Sequence, residues 1–318
     1  MPLRASFFDD PMIRATPALA LNDPFEGGFN NEQVQDADRN QRAYYRENGE
    51  DAYEADDSML NDLVGNIQGD LFGLGIISFT EDYNNPLMWA HYADEHRGFV
   101  VEFDFDEPFF MDSINDLDGR SSRFGKNHLG DVFEFPEKVD YRREMPDFSR
   151  AELSAPDDMS EFHWKKFNRT ILFTKSNDWI YEKEQRSVVR LSDADSVICI
   201  DNEHVRTECL KNPLIRLLEL KNGKIQVIFP PEYEMHEDMG DQSIKNEIYH
   251  LTFDRNEPAV HLFRINPKAI SGVYFGCKSD YHEALKKIKS NRSLTFLNQC
   301  FKMNTNRHLY QLDKIKLE

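Results

Sequence analysis

The sequence predicts an α+β fold with antiparallel or mixed sheets and flanking helices, and three observations predict it. Short runs rich in β-branched and aromatic residues recur from Ile76 to Leu312, bounded by polar turn residues. Helical patterns lie between some of them, the clearest being Leu60, Leu63, Val64 and Ile67 at i, i+3, i+4 and i+7. No internal repeat, heptad run or low-complexity tract points to another architecture.

Residues 1–21 hold two weak apolar patches, at Phe7-Phe8 and Met12-Ile13. The turn Leu21-Asn22-Asp23-Pro24-Phe25-Glu26 follows. Asn22 and Asp23 can accept from following amides, and the residue before Pro24 avoids the helical region. Punctuation is its plainer role; Asp23 or Glu26 facing a pocket is the alternative. From Asn31 to about Gln68 the chain is polar and acidic apart from its helical stripe, with Glu50-Asp51 and Asp56-Asp57 on a solvated face.

The stretch from Ile76 to Asp104 reads as strand, turn, short helix, turn and strand. Alternation sends Ser78 and Thr80 to the face opposite Phe79. Asn84 or Asn85 can cap the helix, and Pro86 suits its first turn because no partner awaits an N–H there. Met88, Trp89 and Tyr92 give that helix one aromatic-rich face, whose plainer role is core packing and whose sharper role is stacking on a ligand. Arg97-Gly98 then turns the chain into the strand at Phe99-Val100-Val101-Glu102-Phe103.

Residues 105–160, rich in Asp, Gly, Ser and Pro, read as long loops with Val139-Asp140-Tyr141 a short strand. A helix over 161–173 places Phe162, Lys165, Lys166 and Arg169 on a basic side. If 181–191 is extended, Glu182, Glu184, Arg186, Val188 and Arg190 share one face. Such a face is either a self-neutralising surface ladder or a site in which one carboxylate stays free for chemistry. Further strands are expected at 197–200, 225–229, 249–253, 261–265, 270–276, 294–297 and 309–312, with helices over 212–220 and 281–288.

A chain of 318 residues, 40% apolar with 24 Phe and 12 Tyr, can bury a substantial core. Its net charge of −19 argues against broad binding to phosphate backbones, while leaving room for a local cationic pocket. From Lys278 to Glu318, however, nine Lys or Arg face four Asp or Glu, which is a solvated face or one that docks on an acidic surface. Four cysteines at 199, 209, 277 and 300 show no metal-ligand spacing and fit a reducing compartment. No apolar run is long enough for a bilayer and no secretion signal opens the chain, so a soluble, cytoplasmic protein is expected. Neither a Walker-type loop, nor a G-x-G-x-x-G, nor a G-x-S-x-G elbow is present. His91 and His96 are five apart and share no helix face, so no metal site is expected.

The ordered blocks Leu21-Asn-Asp-Pro-Phe-Glu26, Ile77-Ser-Phe-Thr-Glu81, Leu87-Met-Trp-Ala-His-Tyr92 and Arg97-Gly-Phe99 resemble the bacterial domain-of-unknown-function family 2971. Phe173-Thr-Lys175, Trp179-Ile-Tyr-Glu-Lys-Glu-Gln-Arg186 and Ile270-Ser-Gly-Val-Tyr-Phe-Gly276 continue the resemblance. The likeness implies a single domain over 1–318, with a polar helical insertion near 31–70 and a loop-rich one near 105–160. The chain departs from the family pattern twice. A first strand with a Tyr-basic-Tyr pattern has no counterpart unless Leu3-Arg4-Ala5 is its remnant, and Gln185 stands where an aromatic usually precedes the family's Arg.

The family pattern is in turn similar, more loosely, to mono-ADP-ribosyltransferases. That fold sets an Arg or His on a first strand, a Ser-x-Ser/Thr on a second and a Glu-x-Glu on a third. Ser78-Phe79-Thr80 and Glu182-Lys183-Glu184 match the second and third in order. The resemblance implies NAD as substrate, with Glu184, and Glu182 beside it, stabilising an oxocarbenium-like charge as nicotinamide leaves. Ser78, Thr80, Trp89, Tyr92 and Arg186 would then bind the cofactor, and Arg4 or Arg14 would supply the first-strand cation. The implied activity is an NAD-dependent ADP-ribosyl transferase, or an NAD-consuming toxin or phage-defence effector. The competing reading is a non-catalytic module that binds a nucleotide-type small molecule, or a protein partner through its acidic surface.

Overall fold

The computed structural model describes residues 5–49, 53–111, 114–115, 121–122, 133–147, 164–231, 241–254 and 257–318. In its first third the chain forms β1 (Met12–Pro17), α1 (Asn31–Glu47), α2 (Asp57–Phe72), β2 (Leu74–Thr80), α3 (Pro86–Tyr92) and β3 (Phe99–Phe103). Then come β4 (Ile114–Asn115), β5 (Ser121–Ser122), β6 (Phe133–Lys138), β7 (Asp140–Arg142), α4 (Trp164–Leu172), β8 (Thr174–Ser176) and β9 (Glu184–Arg190). Next are β10 (Ser196–Ile200), α5 (Glu203–Cys209), β11 (Arg216–Glu219), β12 (Lys224–Ile228), α6 (Asp241–Leu251) and β13 (Val260–Arg264). The last elements are β14 (Ile270–Phe275), α7 (His282–Ser290), β15 (Cys300–Thr305) and β16 (Leu312–Lys316).

Eight strands make the larger sheet, in the order β11-β12-β10-β13-β1-β2-β9-β6, with every neighbouring pair antiparallel. A second sheet runs β16-β15-β14-β3 and is mixed, since β14 and β15 are parallel. The expected α+β class with antiparallel and mixed sheets is therefore what the chain adopts.

Period-two alternation divides the larger sheet's side chains between two apolar clusters. Ile77, Val189, Val197 and Phe263 join Phe99, Val273 and Phe275 of the second sheet in the larger cluster. On the opposite face Leu74, Ile76, Phe133 and Val188 pack under Val34, Ile67 and Leu71 of α1 and α2 and under Phe167 and Ile171 of α4. The polar 31–70 stretch thus lends its one apolar stripe to the core: Leu60, Val64 and Ile67 are buried as the spacing predicts.

Local signals set α3. Asn85 caps it by accepting from the Leu87 amide at 2.9 Å, and Pro86 fills its first turn. Past its end, Asp94, Glu95 and His96 all take positive φ, at 49°, 51° and 70°. This reversal brings the His96 carbonyl onto the Lys278 amide at 3.0 Å. Gly276 permits that approach, because a Cβ there would stand 2.1 Å from the His96 oxygen.

Four expectations fail. The 212–220 stretch, expected to be helical, holds β11: its closely spaced leucines fit either period, and pairing Leu217 with Val227 decides for a strand. The 249–253 stretch, expected as a strand, is largely the end of α6, where Ile244 and Ile248 bury at helical spacing and override β-propensity. The 294–297 stretch is not a strand either, for Asn291 caps a 3-10 turn at Arg292–Leu294 there. The strand expected over 309–312 begins only at Leu312. Within the expected loops of 105–160, residues 133–142 supply β6, which pairs with β9, and β7. Phe162, Glu50 and Asp51 lie outside the described residues, as do the side chains of Lys165 and Lys166.

Candidate functional site

Two stretches about a hundred residues apart meet as neighbouring strands. β2 pairs with β9 so that Leu74 faces Arg190, Ile76 faces Val188, Ser78 faces Arg186 and Thr80 faces Glu184. These eight residues share one sheet face by alternation. Its middle, at Ile76 and Val188, enters the apolar cluster under α2 and α4. Its end, at Ser78, Thr80, Glu184 and Arg186, is polar and holds a network of buried charges.

Arg186 is the hub. It is 1% exposed, and its Nε and one terminal nitrogen clamp Glu184 at 2.8 and 3.0 Å. That same nitrogen also donates to Glu26, and the other donates to the Leu172 carbonyl at 2.5 Å. Lys175 on β8 is the second cation. Its Nζ donates to Glu182 at 2.6 Å and Glu184 at 2.9 Å, lies 3.4 Å from Glu26, and sits 5.1 Å from the Trp179 ring centroid. Tyr92 of α3 donates its hydroxyl to the remaining Glu182 oxygen at 2.5 Å. Three carboxylates and two cations are therefore held together, each in the protein interior.

The backbone is fastened as firmly. Glu182 ends a 3-10 turn at Asn177–Glu182, and Lys183 then takes φ 46°, so Glu182 is not on the strand although its side chain joins the cluster. Thr80 donates to the Glu182 carbonyl at 2.7 Å, Asn85 to the Tyr181 carbonyl at 2.8 Å, and the Glu184 amide to Tyr141 at 2.8 Å. Glu26 comes from the Asn-Asp-Pro-Phe-Glu turn, in which Asp23 accepts from the Phe25 amide at 3.0 Å.

The two flanking carboxylates of Arg186 respond in opposite directions. Burial alone would raise Glu184, but the charge and hydrogen bonds of Arg186, then Lys175 and the Ser78 hydroxyl, outweigh it and hold the group down at about 2. For Glu26 burial wins over Arg186 and Lys175, and its carboxyl stands above the usual range. Burial pulls Lys175 down, yet Glu184, Glu182 and Glu26 together keep it above the ordinary lysine value. Burial and the neighbouring Glu182 both push Tyr92 upward, so its proton stays on as a donor.

The structure thus brings Ser78, Thr80, Tyr92, Glu182, Glu184 and Arg186 together, with Ser78 and Tyr92 exposed and the charged groups buried. Trp89, expected among the ligand-binding residues, is 1% exposed: it packs in a cluster with Tyr274 and Met303, and its indole N–H donates to the Tyr83 carbonyl. Arg186 likewise has no surface left for a ligand. The ladder expected on an open face is interior, and Arg190 stands at the far end of β9, opposite Leu74. Arg169 pairs with Glu137 and Asp140 instead. Arg14 is exposed on β1 and, among the described residues, makes no ion pair with the cluster; Arg4 lies outside them. No local pattern marks Lys175, whose partners Glu182 and Glu184 follow seven and nine residues on across a 3-10 turn, or Glu26, whose partner Arg186 lies far along the chain.

No group of three or more His, Cys, Asp or Glu among the described residues is arranged to hold a metal ion. No helix among them is long and apolar enough to cross a membrane. A family model described as a protein of unknown function, DUF2971, matches residues 88–187. The matched segment takes in Tyr92, Lys175, Glu182, Glu184 and Arg186 and supports the family likeness over that stretch. No curated protein and no solved structure matches the chain.

Proposed function

We propose that the chain is a non-catalytic binding module whose ligand is a nucleotide-type small molecule, held by its base and sugar over the charge cluster. One observation carries this reading. All four oxygens of Glu182 and Glu184 already accept hydrogen bonds from Tyr92, Lys175 and Arg186, and the two residues are 3% and 5% exposed. A carboxylate so engaged braces a site and does not turn to a substrate. Beside it the exposed Tyr92 and half-buried Trp179 and Tyr181 offer ring faces for a base, and the exposed Ser78 offers a hydroxyl for a sugar, while the Thr80 hydroxyl is held by the Glu182 carbonyl and the Asp82 amide. The two cations of the cluster are taken up by its three carboxylates, so recognition by the cluster rests on the nucleoside part.

The test is a thermal-shift and titration series with adenosine, AMP, ADP-ribose and NAD, run beside an assay for released nicotinamide. Adenosine and AMP are expected to raise the melting point alike, and NAD to remain intact. The reading falls if none of the four shifts the transition.

The NAD-dependent transferase or effector remains as a second reading, favoured by the register that sets Ser78 and Thr80 beside Arg186 and Glu184. Nicotinamide release that is abolished in a folded Glu184→Gln variant would establish it in place of the first.

A further inference from the structure

In the middle of the larger sheet, His261 of β13 is buried to 4% exposure between Ala15 of β1 and Val197 of β10. Neither of its ring nitrogens has a hydrogen-bond partner among the described residues. A buried imidazole without a well-formed hydrogen bond costs free energy, so it calls for an explanation. The ring lines a pocket of about 240 Å³ whose walls include Leu19, Phe72, Leu191, Tyr249 and Phe253. The other hydroxyls of that wall are already committed: Tyr249 donates to the Phe72 carbonyl at 3.1 Å, and Thr252 to the Ile248 carbonyl at 2.8 Å. Tyr249 stands with its ring 6.0 Å from that of His261, and Phe253 with its ring 5.4 Å from that of Phe72, so the interior is aromatic. Phe253 and Ala20 are exposed at the rim.

We propose that this pocket binds a small uncharged aromatic molecule carrying one O–H or N–H donor, a phenol or an indole, with His261 as the group that recognises the donor. The size suits such a ligand: an apolar cavity of about 150 Å³ accepts benzene, and drug-sized sites begin near 300 Å³. The chemistry suits it as well. Burial, with the Arg14 charge nearby, outweighs the neighbouring Ala259 backbone, which favours the protonated ring, and holds His261 down at about 4, so at neutral pH the ring is neutral and keeps one nitrogen free to accept. The one carboxylate of the lining, Asp254, already accepts from the Glu257 amide, and the rest of the wall is mainly apolar, which suits an uncharged ligand. The site is separate from the charge cluster, and its test is independent of the proposal made for that cluster.

The experiment titrates the full chain with indole, phenol and benzene, following histidine ring resonances and the melting point. His261 is identifiable as the histidine that stays neutral down to about pH 4. Indole and phenol are expected to move its resonances and raise the melting point, and benzene to bind about tenfold more weakly for want of a donor. His261→Leu should abolish the preference for phenol over benzene, and Ala20→Trp, at an exposed rim position, should block all three. Should His261→Leu fail to fold, the wild-type titration and Ala20→Trp decide alone. Silent His261 resonances at saturating indole and phenol would overturn the proposal. So would equal affinity for benzene, or binding undiminished by Ala20→Trp.

Discussion

The larger sheet buries polar groups in two places, and it treats them in opposite ways. Beside β2 and β9, Glu26, Lys175, Glu182, Glu184 and Arg186 satisfy one another within 3.4 Å. Beside β13, His261 is as deeply buried and has no hydrogen-bond partner among the described residues. Charges cannot be left alone in an interior of low dielectric, so the cluster draws its members from three stretches of chain, at Glu26, at Lys175 and at 182–186. A neutral imidazole can be left alone at smaller cost, and that tolerance is what keeps a recognition group available.

The contrast breaks first at Arg186. Arg186→Met leaves three carboxylates facing Lys175 alone, and urea unfolding should show a loss of about 3–5 kcal/mol. A loss below about 1 kcal/mol would put the cluster in the class of surface ion pairs and end its role as a brace. Tyr92→Phe comes next, since it takes a hydroxyl from a buried carboxylate; about 1.5–3 kcal/mol should go, with the helix α3 intact by circular dichroism.

Acid separates the two regions by pH. His261 is depressed from 6.5 to about 4, so the unfolded chain takes up its proton first, and this contribution to stability is lost as pH falls from 6.5 to about 4. Glu184 is depressed from 4.5 to about 2, so its contribution is lost later, between those values. Denaturant midpoints measured across this range should show both limbs in the wild type, and His261→Leu should flatten only the upper one.

The smallest effect is the most discriminating. Glu26 is raised above 4.5, so its contribution is present below that value and disappears as pH rises through the raised one. At neutral pH Glu26→Gln should therefore shift unfolding by less than about 1 kcal/mol, toward greater stability, whereas Glu184→Gln should destabilise. Equal losses in both variants would mean that the two carboxylates are interchangeable partners of Arg186.

Much of the fold was legible because its causes are local. The Asn85 cap and Pro86 announce α3, the Val and Phe of 99–103 announce β3, and the Leu60, Val64 and Ile67 spacing announces α2. Legibility ended where two periods fitted one stretch, as at 212–220, and where a helix ran through β-prone residues, as at 249–253. At the site, the alternation of Ser78 with Thr80 and of Glu184 with Arg186 could be read directly. Trp89 could not be assigned, since an aromatic on a helix face looks the same whether it meets core or ligand.

Sequence alone determined which residues stand on each side of a strand and where α3 begins, because backbone sterics and capping act over a few residues. Tertiary structure alone decided that Lys175 and Glu26 would close the ring of charges around Arg186, and that the His261 ring nitrogens would be left without a hydrogen-bond partner among the described residues. Partnership between groups far apart in the chain is settled by packing: whether a buried polar atom is paired depends on every element that covers it.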